Sequence, residues 1–228
     1  MKKLVIIPAY NERDSILGTV TDIQRNAPGF DYIVINDCST DDTLEVCREH
    51  GIHVLNLPVN LGIGGAVQTG YLYALQHGYD LAVQFDGDGQ HDARFLQSMA
   101  DALVREQADM VIGSRFIDNK GFQSSGIRRV GIRFFAFLTG VLFGKKISDA
   151  TSGMRMCNRK VIELFVKEYP RDYPEPESVC RLLREHYKVL EIPVEMRERS
   201  AGVSSISMKK SVYYMIKVSL AILIERIR

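Results

Sequence analysis

Two aspartates separated by a glycine, Asp86-Gly87-Asp88, directly follow the apolar run Leu81–Phe85. Side chains at positions i and i+2 of an extended segment point the same way, so both carboxylates can approach one divalent cation. Without a cation, two neighbouring carboxylates repel each other. Carboxylate oxygens are ligands that suit Mg²⁺ or Mn²⁺. The alternative interpretation of the Asp-Gly-Asp segment is a tight turn between a strand and a helix. The pair therefore predicts either a metal site or a turn.

Two further polar segments are compatible with a nucleotide. The loop NLGIGGA at 60–66 precedes a helical stretch, and its glycines let backbone N–H groups approach a phosphate. It has neither the dinucleotide-binding fingerprint nor the Gly-Lys-Ser/Thr of a Walker loop. Asp37 follows another apolar run and either accepts hydrogen bonds from a nucleobase or ribose, or begins a turn and a helix. Each segment alone is a weak indication.

The residues between these segments alternate between short β-branched runs and helical stretches. This alternation is typical of an α/β fold in which a mostly parallel sheet carries helices on both faces. Ligands of such sheets bind at the carboxyl ends of the strands, where the polar segments would meet. The predicted strands are Leu4–Ile7, Tyr32–Ile35, His53–Leu55, Leu81–Phe85 and Met110–Ile112, with helices at about 14–25, 41–50, 65–77 and 93–105.

The second half of the chain has a different rhythm and a different charge. Residues 1–118 carry 8 Lys and Arg against 17 Asp and Glu, whereas residues 119–228 carry 21 against 11. The total of +1 gives no field directed at nucleic acid, and the 46% apolar content is that of a globular protein. We expect strands at 148–156 and 189–194, and helices ending near Phe143 and at 159–167, 177–187 and 209–228.

A basic and then apolar stretch lies in this second half. Arg128, Arg129 and Arg133 precede the apolar run Phe134–Phe143, and residues 120–146 contain no Asp or Glu. A helix that is both cationic and apolar favours contact with an anionic lipid surface over full exposure to water. The final helix, from residue 208, has one apolar stripe that fits core packing, a homo-oligomer or membrane contact. No apolar run reaches the roughly 18 residues that a spanning helix needs.

Five motifs in order resemble the family-2 glycosyltransferases with the GT-A (Rossmann-like) fold, above all the dolichol- and polyprenyl-phosphate sugar synthases. They are PAYNE (8–12), NDCSTDDT (36–43), NLGIGGA (60–66), QFDGDGQHD (84–92) and GSR (113–115). The resemblance implies a UDP- or GDP-sugar donor and an Mg²⁺ or Mn²⁺ ion held by Asp86 and Asp88. It implies that Gln90 lies beside the sugar and Arg115 near the phosphates. The nucleotide would be bound by Pro8, Ala9, Tyr10, Glu12, Asp37, Asn60, Gly64, Gly65 and Asp86.

The acceptor side carries two further resemblances. The segment 149–155 resembles the family's Asp-x-x-Ser-Gly-x-Arg, and makes Asp149 a candidate general base, or else a hydrogen-bonded structural residue; Glu177 is the second choice. The segment from Arg199 resembles Arg-x-x-Gly-x-Ser-Lys, with Ser205 where many relatives carry Lys. A lipid phosphate, with a second pKa of about 6, needs cations more than a base. The acceptor-binding candidates are Arg128, Arg129, Arg133, Arg199 and Ser204.

The sequence thus predicts an inverting, metal-dependent glycosyltransferase that uses a polyprenyl-phosphate acceptor. It would lie on the cytoplasmic face of the cell membrane, through its own surface or a membrane partner protein. Residues 1–118 would bind the nucleotide sugar, 119–207 the acceptor, and 208–228 would form the amphipathic helix. One alternative acceptor is the hydroxyl of a saccharide or lipid-linked sugar. A non-catalytic nucleotide-sugar-binding scaffold is the alternative from another class, and a nucleotidyltransferase is less favoured.

Overall fold

The structure is a computed structural model that describes residues 1–118, 126–171, 174–198, 217–220 and 223, with the backbone alone at 126–130. Seven strands form one sheet. They are β1 (Lys3–Ala9), β2 (Asp31–Asn36), β3 (Val54–Asn56), β4 (Leu81–Gln84), β5 (Met110–Ser114), β6 (Arg155–Asn158) and β7 (Val189–Pro193). The helices are α1 (Ile16–Asn26), α2 (Thr43–Glu49), α3 (Gly62–Gln76), α4 (Leu96–Arg105), α5 (Gly126–Phe143), α6 (Arg159–Lys167) and α7 (Pro174–Arg184), and a 3-10 turn (Ala93–Phe95) precedes α4.

The sheet has the order β3-β2-β1-β4-β6-β5-β7. All its neighbouring pairs are parallel except those of β6, which runs antiparallel to both β4 and β5. The predicted α/β fold with a mostly parallel sheet is therefore confirmed. Because β6 is reversed, the loop that precedes it lies at the same edge as the carboxyl ends of β4 and β5.

The alternation of β1 explains why both faces of the sheet are covered. Val5 and Ile7 point into one apolar layer with α1 and α4, whereas Leu4 and Ile6 point into the other with α3 and α6. Helix α1 meets its layer through a stripe of residues at spacings of three and four, namely Ile16, Thr19, Val20 and Ile23.

Several predicted elements have different bounds in the structure; helix α3, for example, begins at Gly62 rather than at 65. The strand expected at 148–156 was wrong over its first part: only Arg155–Asn158 is a strand, and the preceding residues form a loop. The polar groups of that loop bond to a neighbouring strand instead of forming a ladder of their own: Ser152 Oγ donates to the Gly113 carbonyl (2.7 Å). Helix α7 begins at Pro174 rather than at 177.

The C-terminal helix falls mostly outside the described residues. Residues 217–220 are helical, and Val218 is buried against Phe135 of α5 and Cys180 of α7. None of the helices within the described residues combines the length and the apolar character that crossing a bilayer requires.

Candidate active site

A cavity of about 370 Å³ opens at the carboxyl edge of the sheet, a size within the range of small-molecule sites. It is bounded by the ends of β1, β2 and β4 and by the N-terminus of α3. Its lining residues are Pro8, Ala9, Tyr10, Glu12, Asp37, Asn60, Gly62, Ile63, Ala66, Asp86, Gly87 and Asp88. Seven of the predicted nucleotide-binding residues, together with Asp88, therefore surround one space, although their role in binding stays a prediction.

Asp37 is fixed at the floor of this cavity. Its side chain is only 3% exposed, and its Oδ1 accepts a hydrogen bond from the Leu61 N–H (2.7 Å). The Asn60 side chain donates to the Asp37 carbonyl (3.1 Å) and accepts from the Gly62 N–H (3.1 Å). These bonds join the end of β2 to the start of α3, so the carboxylate has one rigid orientation.

The loops after β1 and β2 are also bonded to each other. Asn11, which has a left-handed backbone (φ 58°), accepts from the Thr40 N–H through its Oδ1 (2.8 Å). The Asn11 N–H in turn donates to Ser39 Oγ (3.0 Å). The rim of the cavity on this side is therefore held by hydrogen bonds between loops rather than by apolar packing.

The carboxylates of Asp86 and Asp88 lie on one side of the cavity. Asp86 Oδ1 accepts from Gln84 Nε2 (3.1 Å), and its Oδ2 is 3.7 Å from His91 Nε2. The Asp86 N–H donates to His91 Nδ1 (3.0 Å), so the neutral ring carries its proton on Nε2, facing the carboxylate. Asp88 Oδ1 accepts from the Gln90 N–H (3.0 Å).

These two residues fit a divalent cation that is shared with a diphosphate. Both supply hard oxygen ligands at the cavity wall, as Mg²⁺ and Mn²⁺ prefer. Within the described residues, no three His, Cys, Asp or Glu side chains are grouped closely enough to hold a metal ion by themselves. The remaining ligands would therefore come from the substrate and water, as is usual at magnesium–phosphate sites.

The loop before β6, residues 144–154, reaches Asp86 through Gly153. A Cβ at position 153 would lie 2.5 Å from Asp86 Oδ2, so only a glycine permits this approach. The loop is held by Glu191 of β7, whose carboxylate accepts from the N–H groups of Ser148 (2.7 Å) and Asp149 (2.8 Å). The sequence analysis did not single out Gly153 for this role, although it lies in the motif at 149–155.

Asp149 and Arg115 form a buried ion pair with each other. The Arg115 Nε donates to Asp149 Oδ2 (2.6 Å) and its second terminal nitrogen to Oδ1 (2.6 Å). Asp149 is fully buried and also accepts from the Arg115 N–H (3.2 Å). This geometry favours the structural alternative for Asp149 over a general base. The Arg115 guanidinium, which the resemblance placed near the phosphates, is bonded to Asp149.

Glu175 is a carboxyl that the sequence analysis missed. It is half-buried near Gln84 and Asp86. Burial raises the pKa of Glu175 and the charge of Asp86 adds to the increase, whereas the charge of the buried Arg155 opposes it. The signal was the acidic PEPE segment, from which Glu177 was the second-choice base; both glutamates are half-buried and lie outside the cavity lining.

The other predicted residues lie in several places. Gly64 and Gly65 have packing contacts outside the cavity lining: a Cβ at Gly64 would overlap the backbone of Arg171, and one at Gly65 the Leu61 side chain. Gln90 is half-exposed on the turn after Asp88, and Arg133 is exposed on α5. The side chains of Arg128 and Arg129, and the whole of Arg199 and Ser204, lie outside the described residues.

Comparison with known proteins identifies the family. The family model described as Glycosyl transferase family 2 matches residues 4–165, which is more than half of the chain. The chain belongs to Glycosyl transferase family 2. This glycosyltransferase is 30% identical over 216 residues to the polyprenol monophosphomannose synthase of Mycolicibacterium smegmatis, with 90% of this chain and 81% of the relative covered.

A second relative and a solved structure extend the comparison, the latter for the fold alone. The undecaprenyl-phosphate mannosyltransferase of Micrococcus luteus is 29% identical to the glycosyltransferase over 216 residues, covering 91% of this chain and 88% of the relative. A glucosyl-3-phosphoglycerate synthase from Mycobacterium tuberculosis, solved with Mn²⁺, UDP and phosphoglyceric acid, superimposes with a TM-score of 0.74. It covers 99% of this chain and 78% of that one at 17% identity, a likeness that shows the GT-A fold.

Proposed function

We propose that this glycosyltransferase is an inverting, metal-dependent enzyme that transfers a sugar from a UDP- or GDP-sugar to a polyprenyl phosphate. We place it peripherally on the cytoplasmic face of the cell membrane. The observation that carries the proposal is the meeting of Asp37, Asp86 and Asp88 around one cavity at the carboxyl edge of the sheet. The names of the relatives from M. smegmatis and M. luteus support the polyprenyl-phosphate acceptor.

Three groups of cavity residues would bind three parts of the nucleotide-sugar donor. Asp37 would accept hydrogen bonds from the nucleobase or ribose at the floor, and the segment Pro8–Glu12 would line the same part. The N-terminus of α3 would place backbone N–H groups near the diphosphate. Asp86 and Asp88 would hold Mg²⁺ or Mn²⁺, which when bound stabilises the negative charge that builds on the departing diphosphate.

The reaction would be a single displacement. A phosphate oxygen of the acceptor forms a bond to the anomeric carbon while the bond from that carbon to the diphosphate oxygen breaks, and UDP or GDP leaves. Attack from the side opposite the leaving group inverts the configuration. An acceptor phosphate with a second pKa of about 6 is largely ionised at neutral pH, so no base is required. The pairing of Asp149 with Arg115 is consistent with such an acceptor.

A product assay tests this function directly. The full chain is incubated with membranes and a panel of UDP- and GDP-sugars, with Mn²⁺ or with EDTA. We expect one donor to give a glycosylated polyprenyl phosphate, and we expect both EDTA and the variant Asp88→Ala to abolish its formation. Full activity in EDTA would refute the metal dependence. Donor binding without transfer to any acceptor would favour the scaffold alternative.

One observation favours a second acceptor class. The half-buried Glu175, with its raised pKa, lies near Gln84 and Asp86, and a carboxyl of this kind suits removal of a proton from an attacking hydroxyl. Transfer to a saccharide or lipid-linked sugar hydroxyl would then require it. The variant Glu175→Gln should abolish transfer to a hydroxyl, whereas transfer to a phosphate should survive it.

A further inference from the structure

The turn that carries the two aspartates is supported from outside the cavity by α1. Thr19 Oγ1 donates a hydrogen bond to the Gly87 carbonyl (3.2 Å). The Asp22 carboxylate accepts from the Ala93 N–H (3.0 Å), at the other end of the same turn. The turn is therefore anchored at both ends to a helix that does not itself contribute to the cavity lining.

A second support comes from the chain that follows β7, residues 194–198, which we call the post-β7 segment. The Val194 N–H donates to the Ser114 carbonyl (3.0 Å), and the Arg197 N–H donates to the Gln90 carbonyl (2.8 Å). Gln90 is the residue whose N–H donates to Asp88 Oδ1 (3.0 Å). One residue therefore lies between the post-β7 segment and the second aspartate of the pair.

The side chain of Arg197 holds the post-β7 segment in this position. Its guanidinium contacts Asp92 Oδ1 (3.1 Å) at the end of the turn. It also donates to both carboxylate oxygens of Asp22 on α1 (3.2 and 3.3 Å). Arg197 thus joins three separate pieces of chain: the post-β7 segment that carries it, the acidic turn and α1.

The burial of Asp92 makes these contacts more than an exposed ion pair. Its side chain is 2% exposed, and Arg94 is its other cationic partner, with a contact of 2.6 Å. Arg94 itself is 65% exposed and belongs to the short helical turn after Asp92. The two arginines therefore share one buried carboxylate, but only Arg197 connects it to the chain after β7.

We propose that Arg197 is a positioning residue for the divalent-cation site. By fixing the post-β7 segment on the turn, it holds Gln90, and through Gln90 the carboxylate of Asp88, in the arrangement that a cation and a diphosphate require. The inference rests on the proposed function, since it assumes that Asp86 and Asp88 bind the cation. It adds a residue 109 positions away from Asp88 in the chain to the support of that site.

The test compares three variants of the full chain. Arg197→Met removes the guanidinium, Arg197→Lys keeps a point charge, and Arg94→Met is the matched control that removes the other partner of Asp92. Electron paramagnetic resonance of free Mn²⁺ gives the dissociation constant in the presence of UDP and of GDP. Amide hydrogen exchange of the peptide covering residues 86–93 is measured in the metal-free protein, and thermal unfolding is recorded in parallel.

We expect Arg197→Met to weaken Mn²⁺ binding about 10-fold, the lower end of the loss that follows removal of an outer-shell partner of a metal ligand, because Arg197 acts through Gln90. Exchange of the 86–93 peptide should become faster even without metal. Arg197→Lys should restore part of the affinity. Arg94→Met should stay within about twofold of the unchanged protein, because Arg94 belongs to the turn that follows Asp92 and its bonds to Asp92 stay within that turn.

The outcomes separate this inference from the proposed function. If Arg197→Met leaves the Mn²⁺ affinity and the amide exchange unchanged, the inference is overturned. It is also overturned if Arg94→Met loses as much Mn²⁺ affinity as Arg197→Met, because any partner of Asp92 would then suffice. If Arg197→Met is unfolded, an affinity in Arg197→Lys equal to that of the unchanged protein overturns it. If the unchanged protein binds no Mn²⁺ with either nucleotide, the proposed metal dependence itself fails.

Discussion

The guanidinium of Arg115 and the carboxylate of Asp149 form a two-contact ion pair in which neither side chain is more than 8% exposed. Replacing Asp149 with Asn leaves a buried cation without its counter-charge. We therefore predict that Asp149→Asn lowers the free energy of unfolding by ~3–5 kcal/mol, the usual cost of breaking a buried pair. Urea unfolding of the purified variant measures this loss.

A double variant provides the control for this prediction. Arg115→Met combined with Asp149→Leu removes both charges, and it should regain much of the stability that Asp149→Asn loses. If Asp149→Asn instead unfolds like the unchanged protein but no longer transfers sugar, Asp149 is a base and our structural interpretation is wrong.

Gly153 is a second residue whose type is restricted by a neighbouring side chain. A side chain there would meet the Asp86 carboxylate at 2.5 Å and push it from the cavity wall. We predict that Gly153→Ala weakens Mn²⁺ binding about 10-fold or more, as expected for a displaced ligand, in a titration with UDP or GDP present.

Gly18 of α1 is the matched control for this substitution. A Cβ at Gly18 would meet no atom within 4 Å. The variant Gly18→Ala should bind Mn²⁺ normally and gain roughly 0.5–1 kcal/mol of stability from the higher helix propensity of Ala. Normal Mn²⁺ binding by Gly153→Ala would show that the loop before β6 does not constrain Asp86.

At the scale of elements, Asp92 caps the short helical turn before α4, where it accepts from the Arg94 N–H (3.0 Å). Burial by itself raises the pKa of Asp92, but the hydrogen bonds from Arg94 and the charge of Arg197 outweigh it and lower the pKa below the ordinary 3.8. Such a carboxyl stabilises the fold above its unfolded pKa, and this contribution is lost as pH falls through the folded pKa.

We therefore predict that Asp92→Asn lowers the free energy of unfolding at pH 7 by ~2 kcal/mol, the usual contribution of a hydrogen bond to a charged group. The difference from the unchanged protein should shrink as the pH falls below the ordinary 3.8. Urea unfolding across this pH range measures it, with the exposed Asp14→Asn as control. A difference that does not change with pH would contradict the role of this charge.

The strands show what the sequence could and could not predict. Strands β1 to β5 were found because each is a short β-branched run followed by a polar turn. The loop before β6 contains the buried residues Ala150 and Met154, so its pattern resembled a strand. Its polar groups are bonded to Glu191 and Gly113, which are remote in the chain, and local patterning does not report such partners.

The same distinction holds for the site. The cavity-lining residues that follow β1, β2 and β4 were predictable, because the carboxyl ends of parallel strands must share an edge. The pairing of Arg115 with Asp149 joins positions 34 residues apart and was not predictable from spacing. Glu175 interacts with Gln84 and Asp86, which are remote from it in the chain, and spacing does not report such partners.

At the scale of the molecule, the apolar face of α5 is exposed. Phe134, Phe137 and Val141 are spaced as one helical face, with exposures of 41%, 62% and 64%. The opposite face is buried through Phe135. Arg133 and Lys146 are also exposed on this part of the chain. This combination supports the proposed contact with an anionic membrane surface.

We predict that the double variant Phe137→Ser and Val141→Ser binds phosphatidylglycerol-containing vesicles at least about tenfold more weakly, since burying each side chain contributes ~1.5–3 kcal/mol. Vesicle sedimentation measures the loss. Val104→Ser on α4, where Val104 is 51% exposed, is the matched control and should bind normally. Equal binding by all three proteins, or binding insensitive to salt and lipid charge, would argue against this surface.

The reversal of β6 has a consequence for how such an enzyme changes its specificity. The cavity-lining residues that follow β1, β2 and β4 belong to chain that leaves the sheet, whereas the loop that brings Gly153 to Asp86 belongs to chain that enters it. Lengthening residues 144–153 or changing their composition would therefore alter the surroundings of Asp86 without shifting the register of a single parallel strand. A change confined to this loop would thus leave the contacts proposed for the nucleotide intact while altering those proposed for the acceptor.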